Sequence, residues 1–536
     1  MIPGNDILGD VAIGDTAADE LIVADKISQL LADSGANRVY LLEATPYDPG
    51  AEAETTVRLS GPIPFRTKPT DTPANASYQP RLRNPYNYSV NLWQNNRVLG
   101  ERKPSFGAVV IDNPDGGLDN LLDYYWDGRQ VNIKVGTPDF TFAEFEVLFS
   151  GTVSDIEWSD TELKLNIRDP GVKLDKPIQT TLYAGTGSDE GGSELKGKPK
   201  PLCYGIAREV KAVLVDNVDL IYQVHDGSVD EITAVYDKGA TLTDEGDVAD
   251  LRAAPAPSAG AFKTDEAAGL FRLGASPDGQ VTADVRGDNS GGFVSAAADI
   301  AKRILTTKGA LVTADLDEAS FNRVTASSPA AVGIAIPDEQ RQIPEVLTEL
   351  MANIGGFWTH RRNGKLRVGV LQAPGSASLK LGQADVFGVV SRRHAGRPAE
   401  TVRLGYDRTW TVQQEGALAA SLSADEKALR SNPHRFVESS DATIANKHLL
   451  ADVVERLTAI DSDTDAQAEA DRLLELLKTR RHIYKVGIGW RLFALDLVDT
   501  VTLDLPRFGL DGGVDYRIIG ITENAAANSA ELILWG

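Results

Sequence analysis

The sequence predicts a mainly β, multi-domain protein with a few helices, in which antiparallel strands form barrel-like or sandwich-like domains. Short apolar segments bounded by Pro and Gly recur along most of the chain, a pattern that is typical of antiparallel strands. Helical spacing of apolar residues is clear in only a few segments. The 536 residues are enough for about three or four domains of ordinary size.

Four regions follow from the changes of pattern along the chain. We expect an N-terminal arm and helix (1–37), a first β domain (38–184), a middle strand-rich domain with long loops that is a candidate insertion (185–335), and an α+β C-terminal region ending in a barrel-like β domain (336–536). The stretch 185–200 is rich in Gly and Pro and therefore predicts a linker.

The N-terminal region is predicted to contain one helix that follows a short arm. The arm, residues 2–14, is rich in Gly and Asp and is unlike a domain element. Apolar residues then recur at helical spacing until Ser34-Gly35 ends the helix. The apolar stripe consists of Leu21, Ile22, Ile27, Leu30 and Leu31.

The first β domain is predicted from apolar and alternating segments. The clearest alternation places Leu163, Leu165 and Ile167 on one face of a strand. The predicted strands are Val39–Ala44, Thr55–Leu59, Phe106–Ile111, Gln130–Val135, Phe145–Gly151, Ile156–Trp158 and Glu162–Arg168. Many prolines in 61–90 favour a long surface loop, and a binding or subunit-contact loop is the alternative.

The rest of the chain mixes strands with helices. Asn363-Gly364 between two apolar segments is a strong hairpin signal. The composition of 244–295, rich in Ala, Pro, Gly and Asp, favours long loops. Helices are predicted at 297–305, 344–355 and 465–479, and strands at 209–215, 220–224, 231–236, 401–406, 482–489, 497–503, 516–522 and 530–534.

The composition excludes several classes of function. There are 77 acidic and 54 basic side chains, which give a net charge of −23, so we expect no sequence-specific nucleic-acid binding. The one cysteine, Cys203, excludes a disulfide within the chain. No apolar stretch is long enough to span a membrane. The first residues lack the basic and apolar parts of a secretory signal, so we expect synthesis and assembly in a cytoplasm.

Tests for common catalytic and binding motifs give no positive result. The six histidines are nowhere three or four residues apart, so no helical metal pair is predicted. Gly185-Thr186-Gly187 begins like a dinucleotide fingerprint, but Glu190 replaces the third glycine and would repel a pyrophosphate. Neither a phosphate loop nor a G-x-S-x-G nucleophile turn occurs. The histidines are His225, His360, His394, His434, His448 and His482.

Acidic clusters are the remaining candidate sites. Asp461–Asp465 resembles the start of a calcium loop, but Ala466 and Arg472 stand where such a loop needs Gly and Glu. A helix N-cap is the preferred interpretation. Asp112–Asp119 could bind Ca²⁺, although a turn capped by Asx side chains is favoured. A carboxylate pair for glycoside hydrolysis has no specific signal among 77 acids. We therefore predict no catalytic, cofactor-binding or metal-binding residue and no cofactor.

Several local strings together resemble one protein family. They are Tyr40–Asp48, Asn113–Asp119 with Trp126–Arg129, Arg168-Asp169 with Thr181–Thr186, Leu195–Gly205, Gly356–Trp358 with Gly364–Gly369, and Tyr516–Ile521. In these strings the chain resembles the tail-tip (baseplate) hub proteins of long non-contractile-tailed bacteriophages, and those of prophage and gene-transfer-agent tails.

This resemblance implies a structural protein of the virion rather than an enzyme. Such hubs are homotrimers in which each subunit contributes two barrel-like β domains to a ring of pseudo-sixfold symmetry. The ring surrounds the channel through which the tape measure protein and DNA pass. The implied partners are the distal tail protein, the tape measure protein and tail fibre or receptor-binding proteins, and the implied location is the tail tip, after assembly in the host bacterial cytoplasm.

Two alternatives stay open at the level of the sequence. One is a receptor-binding or carbohydrate-cleaving tail-spike protein, which would be expected to contain long repetitive β-helix segments that this sequence lacks. The other is a hexameric distal tail protein. The middle region 205–330 is also a candidate glycan-binding or fibre-docking module.

Overall fold

The computed structural model describes residues 30, 37–93, 105–337, 339–489 and 495–536. It confirms a mainly β, multi-domain fold with several sheets. Within the described ranges none of these sheets closes into a barrel. The predicted N-terminal helix lies outside the described residues apart from Leu30. Among the described helices, none is long and apolar enough to span a bilayer.

The strands of the first half of the chain are β1 (Val39–Ala44), β2 (Tyr47–Asp48), β3 (Ala53–Glu54), β4 (Val57–Ser60), β5 (Phe65–Arg66), β6 (Ser77–Pro80), β7 (Leu82–Asn91), β8 (Phe106–Asp112), β9 (Gln130–Gly136), β10 (Glu146–Trp158), β11 (Glu162–Arg168), β12 (Leu202–Lys211), β13 (Val213–Asp216), β14 (Ile221–Gln223), β15 (Val229–Asp237), β16 (Ala240–Thr241), β17 (Thr243–Asp247), β18 (Ala261–Asp265), β19 (Leu270–Leu273) and β20 (Val281–Asp288).

The strands of the second half are β21 (Gly333–Ile336), β22 (Gly356–His360), β23 (Leu366–Val370), β24 (Leu379–Leu381), β25 (Val386–His394), β26 (Ala399–Tyr406), β27 (Arg435–Ser440), β28 (Asp452–Leu457), β29 (His482–Ile488), β30 (Thr500–Leu503), β31 (Val514–Asn524) and β32 (Ser529–Trp535). The α-helices are α1 (Ala297–Thr307), α2 (Glu318–Ser327), α3 (Ile343–Ala352), α4 (Ala424–Ser431), α5 (Ala442–Lys447) and α6 (Asp463–Leu477).

One 15-stranded sheet takes its strands from both ends of the chain. Its order is β25-β29-β32-β31-β7-β8-β11-β10-β9-β1-β4-β6-β5. Off this path, β30 pairs with β31 on one side and with β24 on the other. The alternation predicted for β11 is confirmed, because Leu163, Leu165 and Ile167 are fully buried. Apolar residues of both chain ends share one core, in which Phe149 and Leu532 belong to the same cluster.

The proline-rich segment 61–90 contains three strands, so the prediction of a mostly loop-like segment is wrong. The longest, β7, carries Pro85 in its interior. A proline has no N–H to donate to a sheet ladder and is tolerated at bulges. The pairing of β7 with β8 shifts register on both sides of Asn84, and Asn84 and Asn87 are the paired residues that flank Pro85. The proline therefore lies where the ladder is interrupted.

The middle of the chain forms two five-stranded sheets. Their orders are β16-β15-β20-β12-β21 and β13-β14-β19-β18-β17. Four of these strands, β17 to β20, occupy the stretch for which composition favoured loops. Every residue of β17 is exposed, so that strand lacks the apolar alternation by which strands are recognised in a sequence.

A second core lies between the helices and the predicted hairpin. The hairpin forms as expected, since β22 and β23 pair on either side of Asn363-Gly364. Helices α1, α3 and α6 bury their apolar faces in this core, which also holds Trp358 of the hairpin. A three-stranded sheet, β27-β26-β28, packs its inner face on α6. Sequence reasoning identified only β26 of these three strands.

Candidate assembly surface

The two β regions of the chain meet along one strand pair, β31 with β7. The ladder runs from Gly520 opposite Asn91 to Asn524 opposite Asn87. The Ser89 and Thr522 hydroxyls lie 3.0 Å apart across it. This seam joins sheet segments that are more than four hundred residues apart in the chain. The result is one continuous platform made of two β lobes, the first from β1 and β4 to β11 and the second from β24, β25 and β29 to β32.

The tip of the β22–β23 hairpin contacts both lobes of this platform. The backbone N–H of Ser150 in β10 donates to the carbonyl oxygen of Arg362 at 2.7 Å. The Arg362 guanidinium forms an ion pair with Glu523 of β31, whose side chain is almost fully buried. Burial raises the pKa of Glu523, and the positive charge of Arg362 opposes that shift. One arginine thus connects the first lobe to the second.

Within the described part of the chain, the large sheet is open at both ends. Its first strand, β25, hydrogen-bonds to β29 on one side, and among the described residues no strand pairs with its other side. Phe387 and Val389 of β25 are 49% and 90% exposed. Open edges with exposed apolar side chains are ready-made templates for pairing with another chain. The end of the sheet at β25 is therefore a candidate contact surface.

A further group of exposed apolar side chains lies on the outer face of the β27-β26-β28 sheet and in the loop that precedes β28. Gly405 of β26 lies between Phe436 and Leu457 in the ladder, and Arg403 stacks over Phe436 at 3.8 Å. The exposed large side chains here are Phe436, Leu449, Leu450, Val453 and Leu457. Patches of this kind mark surfaces that contact other molecules.

A charged cleft of about 430 Å³ separates the middle sheets from residues 407–435, which we call the clamp segment. Arg208 lies 2.8 Å from Asp461, 3.5 Å from Asp284 and 3.9 Å from Asp407. The backbone N–H of Trp410 donates to the carbonyl of Arg208 at 3.0 Å. These contacts fasten the clamp segment to the middle sheets, with Arg208 as the cation that the three carboxylates share.

One buried carboxyl in this cleft has a strongly shifted titration. Glu209 contacts Arg430 at 3.0 Å and accepts a 2.5 Å hydrogen bond from the Thr282 hydroxyl. Burial raises the pKa of Glu209 to about 7, while Thr282 and Arg430 act in the opposite direction. The carboxyl of Glu209 therefore titrates near neutral pH because its side chain is only 7% exposed.

The structure brings two of the six histidines together. His394 of β25 is the ladder partner of His482 of β29, and their rings lie 5.1 Å apart. Arg392 donates to Nε2 of His482 at 2.6 Å, and Arg480 donates to Nε2 of His394 at 3.0 Å. Burial and the neighbouring positive charges lower the pKa of His482. Within the described residues no group of three or more His, Cys, Asp or Glu side chains could hold a metal ion.

Two other histidines are buried in structural positions. Nδ1 of His225 accepts a hydrogen bond from the Cys203 backbone at 3.0 Å, and its Nε2 lies 3.7 Å from Asp288. Nδ1 of His360 lies 3.6 Å from Asp169. Burial raises the pKa of the Cys203 thiol to about 12, so this cysteine is an unreactive core residue.

The incomplete glycine fingerprint is occupied by its own carboxylate. Glu190 accepts from the Ala184 backbone N–H at 2.9 Å and from Lys200 at 2.7 Å. These contacts lower its pKa, with the Lys200 hydrogen bond as the largest cause. The Glu190 carboxylate, which was predicted to repel a pyrophosphate, thus stabilises its own loop through contacts with Ala184 and Lys200.

The two acidic clusters have the local roles that the sequence favoured. Ser462 caps α6, accepting from the Asp465 backbone N–H at 3.1 Å. In the other cluster the side-chain Oδ1 of Asn113 accepts from the backbone N–H of Leu118 at 2.9 Å, and Asp115 forms a two-pronged ion pair with Arg81. Both are turns stabilised by side-chain capping.

Sequence reasoning missed the groups that connect distant segments. Arg362 with Glu523, Arg208 with Asp461, and His394 with His482 are each separated by tens to hundreds of residues. A spacing rule detects neighbours on one helix or strand, whereas these pairs depend on which strands become adjacent. The one usable signal was the Asn363-Gly364 turn, which places Arg362 at a hairpin tip.

Among solved structures, tail proteins of phages and phage-like particles are similar to this chain, and no family model or curated protein matches it. A tail protein from Neisseria meningitidis MC58 is 10% identical, with 93% of this chain and 96% of that chain covered and a TM-score of 0.40. A 43 kDa tail protein of prophage MuSo2 from Shewanella oneidensis is also 10% identical, with the same shares covered and a TM-score of 0.37. A chain of the virion of a native gene transfer agent particle is 16% identical over 67% of this chain and 86% of that chain, with a TM-score of 0.38.

Proposed function

We propose that this chain is a structural hub subunit at the tip of a phage-like tail, without catalytic activity. Three copies form a ring that joins the distal tail protein and tail tube to the tip and fibre proteins. The observation that carries the proposal is the seam between β31 and β7, which sets two β lobes side by side in one rigid subunit. Three such subunits around an axis present six lobes, which suits a junction between sixfold and threefold parts.

The charge of the chain supports a channel wall. With a net charge of −23, a ring of these subunits repels the DNA backbone and lets it pass without adhering. The tape measure protein and DNA are the proposed contents of the ring. We assign no catalytic, cofactor-binding or metal-binding residue to this role.

The location tests the proposal most simply. Antibodies raised against the purified chain should label intact tailed particles, made by cells that encode it, at the end of the tail opposite the head. Labelling along the tail shaft or at the head, or no labelling of particles at all, would contradict the tail-tip assignment. Proposed assembly in the host cytoplasm predicts that the same antibodies detect the chain in cell lysates before particles are released.

A further inference from the structure

A further cavity, of about 460 Å³, lies between the second core and the large sheet. Its walls come from α2, the β22–β23 hairpin, the segment 497–499 that precedes β30, and β31. The volume falls within the range of roughly 300–1,000 Å³ that is typical of small-molecule sites. Because all of these walls belong to one copy of the chain, the cavity does not depend on the proposed ring.

Three arginines line this cavity, on a protein whose net charge is −23. They are Arg323 of α2, Arg367 of β23 and Arg517 of β31. Within the described residues, Arg323 and Arg517 form no ion pair. Arg367 lies 3.5 Å from the carboxylate of Asp496, which it shares with Arg361 at 3.3 Å. The arginines of the cavity therefore have few carboxylate partners.

Asp499 is the only carboxylate among the described lining residues. Burial raises its pKa and the charge of Asp496 adds to that shift, whereas a hydrogen bond from the Asp496 backbone opposes it. Burial lowers the pKa of Arg367 and that of Arg517, so their charged forms are incompletely compensated. With three cations and one carboxylate, the lining has an excess of positive charge that an anion would neutralise.

Two of the arginines are held in place by backbone carbonyl groups. Arg367 donates to the carbonyl oxygen of Leu497 at 2.7 Å. Arg517 donates to the carbonyl oxygens of Val498 at 2.9 Å and Ala373 at 3.0 Å. The Nε atom of each guanidinium is buried and has no hydrogen-bond partner among the described residues. Cations that are already positioned lose little conformational freedom when they bind an anion.

The segment that supplies two of these carbonyls has a strained backbone. Val498 has a φ of +65°, which a β-branched residue rarely adopts. Its N–H donates to the carbonyl oxygen of Ile518 in β31 at 2.8 Å, and its own carbonyl accepts from Arg517, so contacts with β31 maintain this conformation. Strained residues of this kind cluster at ligand-binding sites.

Part of the lining is apolar. Val324, Phe357 and Val370 contribute to it, and all three are buried in the fold. Apolar surface of this kind favours an organic group over water. Ser327 and Gln372 are exposed residues of the lining and offer a hydroxyl and an amide as hydrogen-bond donors. The cavity thus combines basic, apolar and neutral polar groups.

We propose that this cavity binds an organic anion, namely a phosphate monoester or a carboxylate that carries an aromatic or aliphatic group. The anionic group pairs with the arginines, whose planar forks match two oxygens of a phosphate or carboxylate. The apolar part packs against Phe357 and its neighbours. This binding site goes beyond the proposed hub function, which requires no ligand.

Calorimetric titration of the full-length chain tests the site with simple probes. Phenyl phosphate and benzoate each join an aromatic ring to one of the two anionic groups, and phenol provides the ring alone. We expect saturable binding of at least one anion with one site per chain, and the tighter probe identifies the anionic group. Phenol should bind at least about tenfold more weakly, because hydrogen bonds to a charged group contribute that much. No saturable binding of either anion would overturn the proposal.

Replacement of one arginine tests the contribution of charge. Arg323 is exposed on α2, so Arg323→Gln should leave the fold intact and weaken binding of the tighter probe about tenfold. Arg66→Gln is the matched control, since it removes an exposed arginine of β5 that also forms no ion pair within the described residues. It should leave the affinity unchanged. Equal affinities of the two variants would contradict recognition by the arginines of the cavity.

A bulky side chain tests the location of the site. Ser327 is an exposed lining residue at the end of α2, so Ser327→Trp should fill the cavity and abolish binding. Asn322→Trp places the same side chain at an exposed position of α2 outside the lining and should retain it. Circular dichroism melts verify that both variants fold. Binding retained by Ser327→Trp would overturn the assignment to this cavity and leave the proposed hub function standing.

Discussion

At the residue scale, the molecule depends on a small number of buried charges that connect distant segments. Arg362 joins the hairpin tip to Glu523, and Glu209 lies beneath the clamp segment against Arg430. A buried ion pair adds little over an apolar pair of the same shape, but the loss of one partner is costly. These residues are therefore sensitive positions, and each supports a distinct prediction.

Removal of the Arg362 charge should destabilise the seam. Arg362→Met leaves the Glu523 carboxyl buried without its cation, and we expect a loss of about 3–5 kcal/mol in the free energy of unfolding. The double variant Arg362→Met with Glu523→Gln should lose clearly less, because no unpaired charge remains. Urea unfolding of the four proteins measures this coupling. A double variant as unstable as the sum of the single variants would contradict it.

The titration of Glu209 should make stability depend on pH. Its pKa is about 7 in the folded chain and about 4.3 in an unfolded one, so the folded state holds more protons between these values. Stability is then highest below about pH 4.3 for this group and falls as pH rises through 7. The full effect is on the order of 4 kcal/mol.

Glu209→Gln should flatten this dependence. The amide cannot ionise, so between pH 5 and 8 the thermal midpoint of the variant should fall less than that of the parent chain. Circular dichroism melts at a series of pH values provide the measurement. Parallel pH profiles for the two proteins would show that Glu209 is not the titrating group.

At the element scale, the β22–β23 hairpin contacts both β lobes through its tip. Gly364 has a φ of +78°, and a Cβ there would lie 3.0 Å from the Ser150 carbonyl oxygen. The turn thus needs glycine both for its backbone conformation and for close approach to β10. That approach sets the position of Arg362.

Replacement of this glycine should weaken the hairpin. Gly364→Ala is expected to cost roughly 1–2 kcal/mol, because an L-residue resists the left-handed conformation. Gly375→Ala is the matched control, since its Cβ position is open and its backbone is not left-handed. Chemical denaturation compares the two variants. A loss at Gly375 as large as that at Gly364 would contradict the turn-specific explanation.

Elements with a strong local pattern were predictable from the sequence, and those that depend on context were not. The strand Val39–Ala44, the alternating strand Glu162–Arg168 and the Asn363-Gly364 hairpin are confirmed. Val39–Ala44 is a short apolar segment buried on both faces, Glu162–Arg168 is buried on one face, which imposes a period of two, and the hairpin is specified by its turn residues. The predicted pair Phe145–Gly151 and Ile156–Trp158 is one strand, β10, interrupted by a bulge after Val153. Strand β17 is polar throughout, and β25 is mostly exposed, so neither has a core-facing pattern.

At the scale of the whole molecule, the feature that no local pattern predicts is the union of the two chain ends in one sheet. Each lobe was recognisable as β-rich, but the pairing of β31 with β7 depends on tertiary context. The candidate contact surface at β25 could not be predicted without this pairing, because only the strand order shows that β25 is an edge strand. Charge composition, by contrast, was available from the start and supports the proposed channel wall.

The most direct test of the account is the mass and symmetry of the purified full-length protein. Native mass spectrometry should give three times the chain mass of 57.5 kDa. Electron-microscope class averages should show a threefold ring with six lobes around a central hole. A monodisperse monomer, or a particle of six chains, would contradict the proposal that two β lobes per subunit build a trimeric hub.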